Sequence, residues 1–111
     1  MALTQLAKQD WHAFFDGASK ALGEKRVTVE LTGLELGDRL AADHAVLTGM
    51  SYEERSDVLT LFIQGLEHRI QRPRTLHVDR QGTELTSFEV IDADGVHHIV
   101  RFDTAVALAR S

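Results

Sequence analysis

The run Ser87-Phe88-Glu89-Val90-Ile91-Asp92-Ala93-Asp94-Gly95-Val96-His97-His98-Ile99-Val100-Arg101-Phe102 constrains the fold more than any other part of the chain. Two β-rich segments flank an Asp-Ala-Asp-Gly turn, a strong hairpin signal. Side chains alternate across a strand, so the turn also sets which of them face a core. His98 then shares a face with Val96, Val100 and Phe102, while His97 shares the other with Ile99 and Arg101. Asp92 and Asp94 are accounted for by the turn, where Asp bonds to nearby backbone.

Upstream the period is different. Trp11, Phe14, Phe15, Ala18 and Leu22 recur at helical spacing after Asp10, a candidate N-cap, and before Gly23, a natural stop. Gly17 costs this helix about 1 kcal/mol relative to Ala, which packing can offset. The aromatic stripe is read as core; exposed, it would be a partner-binding surface. From Arg26 the period drops to 2: Val27, Val29 and Leu31 alternate with Thr28, Glu30 and Thr32. A weaker strand follows at Leu40–Leu47, then a polar loop from Met50 to Asp57. Val58–Ile63 reads as a central strand covered on both faces. Leu66–Arg72 is polar with two apolar anchors, and Pro73 marks a bend, an edge or a strand start. Thr75–Val78 is a short strand before the Gln81-Gly82 turn, and Ala105–Ser111 is a tail that frays or forms a weak helical turn.

At 111 residues the chain holds one domain with a single modest core. Acidic residues outnumber basic ones by 17 to 12, and this net charge of −5 opposes broad nucleic-acid binding. The absence of cysteine excludes disulfides, thiolate nucleophiles and cysteine–zinc sites. No window reaches the roughly 18 apolar residues of a membrane helix. Met1 to Lys8 lacks the basic region and apolar run of a signal peptide, so a cytoplasmic protein without membrane attachment is expected.

Several scattered residues carry a resemblance: Trp11-x-x-Phe14-Phe15, Val27-x-Val29-Glu30, Leu59-x-Leu61, Ile70-x-x-Pro73-x-x-Leu76, and Asp94-Gly95 followed by Arg101-Phe102. Together, across about Asp10 to Phe102, they resemble a family of short bacterial proteins described as a domain of unknown function. The resemblance implies a bacterial, cytosolic protein and carries over no catalytic residue. The order of elements is also similar in shape to Sm-like barrels, but His44 to Tyr52 departs from the Sm signature.

Candidate sites are few. The six histidines show no His-x-His, His-x-x-x-His or Glu-x-x-His spacing, and adjacent His97 and His98 point to opposite faces, so no metal site is expected. His68, Arg69, Arg72 and Arg74 form a basic segment that, with Lys25, Arg26 and Arg80, could bind phosphate through forked donors. A solvated edge strand, guarded by charge and Pro, accounts for the same residues and is the preferred reading. Asp43, Asp57, Glu53 and Glu54 show no recognisable acid/base pairing, and Ser51 and Ser56 lack a nucleophile motif.

The expected molecule is a single α+β domain over residues 1–111, mostly β. An N-terminal amphipathic helix at about 10–23 packs on a strongly bent antiparallel sheet of roughly five or six strands within about 25–103, a partly open barrel. One helix covers only part of such a sheet, so a homo-oligomer is expected, a dimer first, with another protein as the other candidate partner. The expected function is that of a non-catalytic binding or assembly module without cofactor. The alternative is a small barrel that binds anions or nucleic acid through His68, Arg69, Arg72 and Arg74. An enzyme using His98 with an aspartate ranks last.

Overall fold

The computed structural model describes residues 2–108. In chain order the elements are β1 (Ala2–Gln5), a single 3-10 turn (Lys8–Asp10), α1 (Trp11–Ala21), β2 (Lys25–Gly33), β3 (Gly37–Glu53), β4 (Val58–Ile63), β5 (Leu66–Gln71), β6 (Pro73–Gln81), β7 (Glu84–Asp92) and β8 (His97–Ala107). All eight strands belong to one antiparallel sheet in the order β1-β6-β7-β8-β2-β3-β4-β5.

Gln64-Gly65 and Asp92–Val96 make tight hairpins, and Gly65 and Gly95 take the positive φ (79° and 81°) their turns require. The β7–β8 register places Val90 opposite His98 and Phe88 opposite Val100, which puts His98, Val100 and Phe102 inside as their parity demands. β5 is one edge of the sheet and β6 lies next to the other edge, yet Arg72 alone links them. That connection forces the sheet to curl. Arg72 accepts the Ala93 N–H through its carbonyl (2.9 Å), and Pro73 lies opposite Asp92, so the end of β5 folds over toward the β7–β8 turn.

The helix lies across this curl. Trp11 meets Tyr52 of β3 edge-on (centroids 5.3 Å apart), and Phe15 meets Phe88 of β7 (5.4 Å). The Met50 N–H donates to Ser19 Oγ (3.1 Å). Trp11, Phe15, Ala18 and Leu22 are buried with Leu47, Leu59, Leu61, Ile70, Leu76 and Val78 in one continuous core. Each fully buried Leu, Val or Phe contributes about 1.5–3 kcal/mol of transfer free energy. At the start of the chain fold, Lys8 donates to Asp57 Oδ1 (2.9 Å) and to the Pro73 carbonyl (2.9 Å), while Tyr52 O–H donates to the same Asp57 carboxylate (2.6 Å). Burial first, then this hydrogen bond, pushes the Tyr52 hydroxyl above its ordinary pKa.

Several expectations are corrected. The sheet has eight strands rather than five or six, and it curls without closing. β1 precedes the helix, and Leu66–Gln71 is a regular strand whose polar sequence belongs to a sheet edge. β3 runs without interruption into the expected loop as far as Glu53, leaving only residues 54–57 as a turn. β4 is covered less fully than expected: Leu59 and Leu61 are buried, but Thr60 and Phe62 are half-exposed. Asp10 stands before α1 without a side-chain cap bond, because the 3-10 turn holds its backbone near-helical (φ −97°, ψ −5°). The expected tail is β8 as far as Ala107, and residues 109–111 lie outside the described residues.

Candidate functional site

Asp92 closes β7 and uses both carboxylate oxygens. Oδ1 accepts the backbone N–H groups of Asp94 (2.9 Å) and Val96 (3.1 Å), the local bonding that favours Asp in turns. Oδ2 faces the other way and accepts from His98 Nε2 at 2.9 Å. His98 is the one buried polar residue of the described core, 6% exposed. A buried imidazole needs a partner, and the turn supplies it.

The relay continues across the curl. His98 Nδ1 and His68 Nε2 are 3.3 Å apart, with the rings tilted by 65°. Burial, then proximity to His98, holds the His68 pKa below its ordinary value and favours the neutral ring. Burial pushes the Asp92 carboxyl up, but the hydrogen bonds from His98 and the two backbone N–H groups outweigh it and leave Asp92 below the usual carboxylate range. Tautomers follow from donor logic. The carboxylate takes a proton-bearing His98 Nε2. When both rings are neutral, His98 Nδ1 accepts from His68 Nε2, and the remaining lone pair of His68 is on Nδ1.

His68 lines a cleft of about 410 Å³ between the upper part of β3 and the tip of the β4–β5 hairpin. Ala41, Ala42, Ile63 and Leu66 give it apolar walls, and its ionisable groups are Asp43, Glu67 and His68. A cleft with this lining offers acceptors and negative charge to whatever enters it.

Within the basic segment, His68 and Arg69 lie on opposite faces of β5. His68 is half-buried on the same side of β5 as Ile70, whereas Arg69 points outward and donates to Glu67 (3.0 Å). Arg72 occupies the link at φ 50° with a guanidinium nitrogen 3.8 Å from Asp94, and Arg74 is exposed at the start of β6. The other histidines are dispersed. His12 donates to the Tyr52 carbonyl (3.1 Å), His44 pairs with Asp103 (2.8 Å), His97 pairs with Glu89 (3.0 Å), and His77 lies on β6. Among the described residues no cluster of three or more His, Asp or Glu side chains is placed to hold a metal ion. No helix among them is long and apolar enough to cross a membrane.

The sequence reading sets His98 with an aspartate only as its last-ranked alternative and assigns Asp92 to the turn, although it holds one signal for their pairing. A histidine whose parity puts it in a core must find a hydrogen-bond partner, and Asp92 is the nearest carboxylate across the turn. Nothing in the sequence points to His68 as the third member, because that contact depends on the curl.

The comparisons with known proteins agree with the resemblance noted from the sequence. A family model described as "Family of unknown function (DUF5335)" matches residues 2–111. A protein of Aquifex aeolicus (strain VF5), described as "Uncharacterized protein", is 31% identical over 109 residues, covering 97% of this chain and 98% of that one. No solved structure matches the chain. The full-length family match and this bacterial relative place the chain in one family: it belongs to DUF5335, a family of unknown function.

Proposed function

We propose that the chain is a non-catalytic binding module whose cleft takes a small organic cation, an amine bearing an apolar arm. The observation that carries this reading is the Asp92–His98–His68 relay, whose last ring lines the cleft. An ammonium group donates to His68 Nδ1 and is drawn by Asp43 and Glu67, while its alkyl part lies on Ala41, Ala42 and Leu66. The relay's role is to hold a tautomer, as a carboxylate behind a histidine does in other binding sites. The net charge of −5 favours cationic ligands over phosphate-rich partners, and the cysteine-free composition supports a cytoplasmic setting. The curled sheet serves as a partly open barrel that presents the cleft at one end.

The test is an NMR titration of the protein with n-butylamine, spermidine, acetate and inorganic phosphate. The amines should shift His68 and the amides of Ala41–Asp43, and the response should be lost in Asp43→Asn with His68→Phe. If phosphate alone binds, and does so through Arg72 and Arg74, the anion reading replaces this one. Silence at His68 with every probe overturns it.

A further inference from the structure

We infer that β5 is a self-pairing edge through which two copies of this chain join their sheets about a two-fold axis. Its six residues pair with β4 in an unbroken register from Ile63↔Leu66 to Val58↔Gln71. The two-residue Gln64-Gly65 turn makes Ile63 and Leu66 a hydrogen-bonded pair. Leu66, His68 and Ile70 therefore spend their N–H and C=O groups on β4, and Glu67, Arg69 and Gln71 point theirs outward. Among the described residues those outward groups have no backbone partner.

The other open edges are blunted. β1 has four residues, and the upper half of β3 carries register shifts opposite Val27–Glu30. β5 has no bulge, its outward charges Glu67 and Arg69 are of opposite sign rather than a single repelling sign, and Leu66 at its start is 75% exposed.

Charge selects both the occupant and the register. Outward-pointing residues pair only with outward-pointing residues, so a two-fold axis passes through a residue position. An axis at Glu67 sets two glutamates opposite each other, and one at Arg69 sets two arginines opposite each other. An axis at His68 instead pairs Glu67 with Arg69 of the second copy, twice, each as a hydrogen-bonded pair, and lays Leu66 beside Ile70 of the second copy. The existing Glu67–Arg69 contact (3.0 Å) then becomes part of a four-charge ring of alternating sign. The sequence of β5 is thus complementary in charge to itself in the register centred on His68, which is what an isologous interface requires.

Leu66, Glu67 and His68 belong to both the cleft and this edge, but the inference does not require the proposed ligand and its test uses none. Sedimentation equilibrium from micromolar to submillimolar concentration should show a monomer–dimer equilibrium. Glu67→Arg and Arg69→Glu should each weaken the dimer by roughly ten-fold or more, and the double swap of both charges should restore it. As an independent readout, the amides of Glu67 and Arg69 should gain hydrogen-exchange protection with rising concentration while those of Leu66, His68 and Ile70 stay constant. A wild-type monomer throughout, single variants that dimerise unchanged, or protection without this alternation would each overturn the proposal.

Discussion

His98 Nε2 donates to Asp92 Oδ2 at 2.9 Å across a turn that the same carboxylate stabilises through its other oxygen. One side chain thus shapes the β7–β8 hairpin and satisfies the buried histidine the hairpin carries into the core. Structure and candidate chemistry share a residue here, and both can be perturbed at once.

Asp92→Ala removes the acceptor for two backbone N–H groups and for His98. A loss of about 2–3 kcal/mol in unfolding free energy is expected, read from the urea midpoint at unchanged slope. The pH dependence follows from the lowered carboxyl pKa of Asp92. A group depressed in the folded state contributes stability that is complete above its unfolded pKa of about 4 and is lost as pH falls through the folded value. Asp92→Asn should therefore flatten the acid limb of the wild-type stability curve.

His68 has the opposite chemistry and loses stability over a different window. Its folded pKa is lowered, so the unfolded chain takes up the proton first. Its stabilising contribution is complete above the unfolded value of about 6.5 and declines as pH drops below it. The difference in stability between wild type and His68→Gln should narrow from pH 8 to pH 5, measured by urea titration at each pH. A constant difference would show that His68 is not held neutral.

His44 is exposed, and the hydrogen bond it donates to Asp103 raises its pKa above the ordinary histidine value. NMR titration of the ring protons should place its midpoint above that value, and Asp103→Asn should bring it down. The exposed setting makes this a titration effect, with little consequence for stability.

Phe15 is fully buried and meets Phe14 and Phe88 edge-on at 5.1 and 5.4 Å. Phe15→Ala should cost about 3–5 kcal/mol by denaturant unfolding. Phe14→Ala, at a partly buried position beside the core, should cost clearly less.

Local signals were legible where the chain's own periodicity decides the structure. Gly23 ends α1 at φ 57°, Trp11, Phe15 and Ala18 form its buried stripe, and the Asp92–Gly95 turn sets the parity that puts His98 inside. Strands whose partners are remote were not legible in this way. β1 is only four residues long, β5 is polar as edges are, and β3 continues through Met50–Glu53 because Val58–Leu61 lies beside it to pair with. Propensity carries no information about such neighbours.

The sequence by itself determined the helix, the hairpin and the side of β8 on which each histidine lies, because these depend on spacing between residues close in the chain. Only the tertiary structure decided that His68 meets His98, thirty positions away, and that the arginines beside it face elsewhere. The physical reason is the one-residue link at Arg72. It carries the chain from one end of the sheet to a strand beside the other end, and the curl this demands brings β5 over β8.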